Sequence, residues 1–456
     1  MISFAALALG LLASLWFAGI PLHVGGLSGS IEGGTVPSWL SIGTGGLLVG
    51  VSFLFTSFMT DHERIRRIND VGTRLPSLPA VRDASVRAGR LAGVVVLLLV
   101  VATGYVGPQE PLSNLAILVV WSGWWAGYTM SVYLVGNSWP VVNPWRTLAA
   151  LVPTPGTRAY PERLGAWPAV VGLLGLVLVE VVTPLAEDPQ LLATLIVAYT
   201  LVTVVGAATF GVDAWFEQVD PVARVFHLYG QLAPVQRTDD GLALRLPVAA
   251  LSDVRLPDRP GEVPFVVALL WATTFDGLVT TTAWADAVRV VVGVGVPPLA
   301  AYVTAMAGGF GLFLGGYRLA AGKARDTADT YVTGGFIGRW FAPSLLPIAA
   351  GYHLAHYLDY LLTLLPVLGA ALASPFTPTA NPVVLVLPGW FGLLALAFVL
   401  LGHLLALWVA HSFGFRLFPG VLAPIRSQYP FVVVMMAYTT VSLWVVAQPF
   451  TQPPYT

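Results

Sequence analysis

The sequence predicts an all-α, polytopic bundle of transmembrane helices, and three observations carry that prediction. Only 10% of the 456 residues are charged while 56% are hydrophobic, where a soluble domain carries roughly a quarter charged. The mean hydropathy is +0.78, and windows of about 19 residues find about eleven stretches apolar enough to cross a bilayer. Basic residues, finally, gather in alternate connections between those stretches, as they do when only one side of a membrane retains them.

In order, the stretches are 2–22, 39–60, 88–105, 113–135, 166–184, 191–210, 264–283, 288–317, 340–366, 383–412 and 430–446. The first lacks the basic n-region and cleavage site of a signal peptide, so it is expected to be retained. The eighth is overlong and holds Pro297, Pro298, Gly308 and Gly309, which predicts a kink, a tilt or a break. Arg64, Arg66, Arg67, Arg74, Arg82, Arg87 and Arg90 lie between the second and third stretches, and Arg146, Arg158 and Arg163 between the fourth and fifth. Connections 107–112 and 184–190 have none, and only Arg289 breaks the alternation. The expected orientation places the N-terminus inside and the C-terminus outside, in the plasma membrane.

The chain reads as one integral membrane domain over 1–456. Its one sizeable polar piece, 211–261, is expected as a cytoplasmic loop too small to be an independent domain. Within it Asp239-Asp240-Gly241 precedes an alternating run from Leu242, a turn-and-strand pattern that predicts a small hairpin. No internal repeat is visible. A net charge of −1 offers no basic stripe for nucleic acid, so the expected partners are the lipid bilayer and a lipophilic small molecule. The absence of cysteine excludes thiolate chemistry and leaves His, Asp, Glu or backbone oxygen to hold any metal.

Chemistry is expected where polar side chains fall inside apolar stretches, because a charge at bilayer depth costs roughly 2.5–3.5 kcal/mol on insertion scales. The stretch WFAPSLLPIAAGYHLAHYLDYLLTLLP carries His353, His356 and Asp359. On a helix the two imidazoles lie about 60° apart and can reach one point, with Asp359 another 60° round as ligand or as orienter of an imidazole. His403 falls at comparable depth in the tenth stretch and is the expected co-ligand. His411, eight residues on, is a secondary candidate nearer the inner rim. Asp276, in TTFDGLVTTTAW, sits mid-way along the seventh stretch. With His353, His356 and His403 it would complete a metal set suited to zinc, iron, manganese or copper. Asp276 and Asp359 are the candidate catalytic carboxylates. The same residues could instead hydrogen-bond neighbouring helices.

Asp213, Glu217 and Asp220 are spaced to share one helix face, as a second metal cluster, an inner vestibule or a solvated edge. Asn143-Pro144-Trp145-Arg146 reads as a turn that leaves Arg146 free to pair with an acid such as Glu217. Glu180 is expected at the outer interface.

The motifs VGNSWPVVNPWRTL, WFEQVDP, TTFDG, LLPIAAGYHLAHYLDYLL, HLLALWVAH and SQYPFVVVMMAYTTVSLW together resemble the fenitrothion hydrolase-like membrane proteins. That resemblance implies hydrolysis of a phosphotriester-type, lipophilic ester, with the intramembrane His and Asp residues carrying it and a metal-bound water as nucleophile. Two other classes use the same residues. One is a haem or redox subunit with His353 or His356 and His403 as axial ligands; the other is an ion- or proton-coupled transporter.

Overall fold

The computed structural model describes residues 38–76, 79–152, 156–238, 241–378 and 381–455; the 2–22 stretch lies outside them. The chain is 74% helical with almost no strand, an all-α bundle. Among the described residues, eight helices are long and apolar enough to cross a membrane.

The bundle opens with α1 (Ser38–Ser57) and α2 (His62–Asn69), which meet at a bend of 115°. Asp61 makes the bend by capping α2, accepting from the backbone N–H of Glu63 and Arg64. The long helix α3 (Pro79–Val106) follows, then α4 (Leu115–Leu134), whose middle, Val119–Tyr128, is wound as a π-helix. Two short helices, α5 (Trp139–Val142) and α6 (Pro144–Ala149), come next. Helix α7 (Trp167–Val182) has only 16 residues, shorter than the 166–184 stretch, because Thr183 turns to extended backbone ahead of Pro184. Helix α8 (Pro189–Phe210) ends at Gly211, whose φ of 91° only glycine adopts cheaply.

Beyond Gly211 the backbone widens into a π turn, Trp215–Val219, and restarts as α9 (Pro221–Gly230). This part of the 211–261 piece is packed into the bundle: Val225, Phe226, Leu228 and Tyr229 are buried, and Arg224 pairs with Glu262 at 2.6 Å, both inside. Strands β2 (Val235–Thr238) and β3 (Gly241–Arg245) form an antiparallel hairpin. Strand β1 (Gly72–Arg74), from the connection after α2, adds to β3 and makes the sheet order β1-β3-β2.

Helix α10 (Glu262–Val279) is the most enclosed of the long helices. The overlong eighth stretch is indeed divided: α11 (Thr282–Gly293) stops, Gly295 takes φ 96°, and α12 (Pro298–Ala328) starts afresh at Pro298. Helix α13 (Gly334–Phe341) leads through a 3-10 turn into α14 (Leu346–Ala373), then come α15 (Phe391–Leu417) and α16 (Leu422–Val446). The crossing that governs the site is α14 on α15, where Gly351 faces Gly402. A Cβ on Gly351 would lie 2.6 Å from the Phe398 carbonyl oxygen and 3.0 Å from Gly402 Cα, so backbone rests on backbone. That contact locks the register of the two helices, because any larger residue would force them apart.

Candidate functional site

The α14–α15 contact decides where each side chain of α14 points. With Gly351 set toward α15, a residue two positions on is turned by about 200° and one five positions on by about 140°. His353 therefore projects away from α15, into an aromatic nest made by α4 and α9. Its Nε2 lies 3.1 Å from the Trp125 carbonyl oxygen and its Nδ1 3.1 Å from the Tyr133 hydroxyl. A carbonyl only accepts, so Nε2 carries the proton and Nδ1 accepts from Tyr133. The rings of Trp125, Tyr133, Tyr229 and Tyr357 surround it at centroid distances of 4.8–6.2 Å.

One turn along α14, the Tyr357 ring stacks on His353, and its hydroxyl donates to Asp276 Oδ2 on α10 at 2.8 Å. Asp276 is buried, one turn from the C-terminal end of α10 rather than mid-way along it. Beside it Gly277 allows α14 to approach. A Cβ there would meet the Tyr352 hydroxyl, Val445 Cγ1 at 2.7 Å and His356 Cε1 at 3.0 Å. His356 stacks on Tyr352 with ring centroids 5.4 Å apart. Glu180 of α7 faces the same region, near enough to act electrostatically on Tyr357 and Tyr360. Asp359 lies near His356 and accepts from the Tyr360 N–H at 2.7 Å. The hydroxyls of Tyr229, Tyr352 and Tyr360 are buried and have no partner among the described residues.

The structure thus brings His353, His356, Asp276 and Asp359 around one part of α14 and leaves His403 elsewhere. Gly402 packs on the Pro347 carbonyl and Ile348 Cα, so His403 stands level with residues 347–348, roughly 7–9 Å along the axis from His353, which points the opposite way. His403 is fully buried and turned onto its own helix, with Nδ1 donating to the Val399 carbonyl at 2.8 Å. The expected metal set does not fit: both nitrogens of His353 are engaged, and among the described residues no three His, Asp or Glu side chains could hold an ion together.

The secondary candidates separate as well. His411 bonds the Met59 carbonyl oxygen through Nε2 at 2.8 Å, fastening the α1–α2 bend to α15. Asp213, Glu217 and Asp220 do not share a face, because the π turn over Trp215–Val219 resets the phase between them and Asp220 leaves it in extended backbone. Arg146 pairs with Asp213, not Glu217, and Glu217 points to the surface. Asp220 turns inward to cap α9, accepting from the Ala223 N–H at 2.7 Å and from the Tyr199 hydroxyl at 2.7 Å. Burial raises its carboxyl to about 6, against those bonds, which act the other way.

Sequence reasoning missed Tyr133, Trp125, Tyr352 and Tyr357, and placed Glu180 at the interface. Two of them carried a signal, since Tyr352 and Tyr357 flank the histidines on the same helix. A bundle of long apolar helices with polar side chains joined in its interior defines a multi-pass membrane protein. No family model, curated protein or solved structure matches the chain.

Proposed function

We propose that this protein is a proton-coupled membrane transporter whose protons move through Asp276, Tyr357, His353 and Tyr133. The observation that supports it is a carboxylate, a phenol, an imidazole and a second phenol in sequence across α10, α14 and α4. Two hydrogen bonds and one ring stack join them in an apolar interior. Ionisable groups at such depth are costly and are characteristic of proton relays. The buried, unpartnered hydroxyls of Tyr229, Tyr352 and Tyr360 would extend the path through water or solute.

Eleven crossings, with the N-terminus inside, complete the reading. They are the eight long helices, the bent α1–α2 pair, the shorter α7 and the 2–22 stretch. The arginine-rich, sheet-bearing end would face the cytoplasm, and the plasma membrane is the proposed location. The test is proton flux into proteoliposomes holding a pH-sensitive dye, with Asp276→Asn and Tyr357→Phe as variants. Flux under an imposed potential, lost in both variants, is expected. Equal flux in wild type and variants, or none beyond empty vesicles, would sink the proposal.

Hydrolysis of a lipophilic ester, which the family resemblance implies, is the second reading. It is favoured by the approach of His356 to α10 beside Asp276, an imidazole and a carboxylate on facing helices. Turnover of a neutral phosphotriester by the purified chain, abolished in His356→Gln, would put that reading first.

A further inference from the structure

The bent pair ends in a helix that none of this chemistry uses. Helix α2 lies across the end of α15, pinned on one side. Both ring nitrogens of His62 reach backbone carbonyls, of Phe415 at 2.9 Å and Gly420 at 2.8 Å. Asn69 donates to Ser412 Oγ at 3.0 Å and accepts from Trp408 Nε1 at 3.1 Å. Ile65 is buried beneath. The other face presents Arg64, Arg66 and Arg67, all exposed and in no ion pair among the described residues. Arg82, Arg87 and Arg90, on the first turns of α3, are likewise exposed. Of the nearby acids, Asp61 caps α2 and acts electrostatically on Arg64 and Arg67, and Asp70 lies 3.8 Å from Arg416. With Glu63 and Asp83 these acids still leave the six arginines in excess.

The 39–60 stretch is long enough to cross the bilayer by itself, so α2, bent 115° from α1, would run near the membrane plane, where phosphate headgroups lie. We infer that the α2 arginines form a preformed docking surface for the headgroups of anionic phospholipids. Each basic residue near a negative membrane surface contributes roughly 1 kcal/mol, about fivefold in affinity, and salt weakens it. The occupant is a lipid and not a free phosphate because the surface sits at the foot of apolar helices, where an acyl chain runs alongside.

The experiment titrates the delipidated, detergent-purified full chain with short-chain phosphatidylglycerol, phosphatidylcholine and glycerol phosphate, read by native mass spectrometry. Phosphatidylglycerol is expected to bind in preference to phosphatidylcholine, less so at high salt, with glycerol phosphate competing only weakly. The triple variant Arg64→Gln, Arg66→Gln, Arg67→Gln should lose the preference by about fivefold per arginine, and the matching Arg→Lys triple should retain most of it. Because these side chains are exposed and in no ion pair among the described residues, a melting temperature changed by little is expected of either triple. Equal binding of the two lipids by wild type, or an undiminished preference in the Gln triple, overturns the inference. Competition by glycerol phosphate at the concentration of phosphatidylglycerol overturns the assignment to lipid.

Discussion

Helices α14 and α15 are both long and apolar, and each carries two histidines, yet the two pairs end in different chemistry. On α14, His353 bonds a tyrosine side chain from another helix and stacks on a second tyrosine that holds Asp276. On α15, His403 bonds its own helix and His411 the Met59 carbonyl. A backbone carbonyl neither gains nor loses a proton, so the α15 pair acts as fastening. A phenol and a carboxylate can exchange protons, which is why His353 of α14 stands in the proposed relay. The residue type is the same; the partner makes the difference.

The largest expected effect tests that division directly. Asp276→Asn should lower proton flux by about 10²–10⁴-fold, the range general acid–base groups contribute, while His403→Leu leaves flux within about twofold because its helix supplies its only bond. Comparable losses in both would erase the distinction drawn between the helices.

Asp220 extends the comparison to a buried acid used as a fastener. Its folded carboxyl is raised to about 6 from an ordinary 3.8, so the fold favours the protonated form. Stability is then greatest below about pH 4 and falls by about 3 kcal/mol as pH rises to 6, levelling off above. Melting curves across that window should show the decline in wild type and little of it in Asp220→Asn, which still caps α9. A flat wild-type profile would show that the bonds from Ala223 and Tyr199 offset burial, and stability rising with pH would show that they outweigh it.

Gly277→Ala probes the closeness of α10 and α14. The added methyl meets Tyr352, Val445 and His356, so overpacking should cost about 1–3 kcal/mol and reduce flux by displacing the stacked rings. Unchanged melting temperature and flux together would mean that the two helices are not in contact at the site. The smallest effect is expected at His411→Leu, where loss of the bond to Met59 should lower stability by about 1–2 kcal/mol without changing flux per folded molecule. A loss of flux beyond the loss of folded protein would move His411 into the relay.

Much of this architecture was legible in the sequence. The apolar stretches announced the helices, since nothing else so poor in charge satisfies its backbone in lipid, and Pro297-Pro298 announced the break before α12. His353, His356, Asp359 and Asp276 stood out because polar side chains in such stretches are rare. The spacing of Asp213, Glu217 and Asp220 misled, because periodicity presumes an unbroken α-helix and the π turn over Trp215–Val219 interrupts it.

What the sequence by itself determined is therefore the apolar helices, the break at Pro297-Pro298 and, wherever the α-helix runs unbroken, the angular position of a side chain about its own axis. Only the tertiary structure decided which face meets which. Helical periodicity is silent on the register and rotation of one helix against another, and here both follow from the Gly351–Gly402 contact. Matching depth made His403 look like a partner of His353, whereas that contact turns the two apart. It is Tyr133 and Glu180, from helices the sequence did not connect with α14, that packing brings to the site.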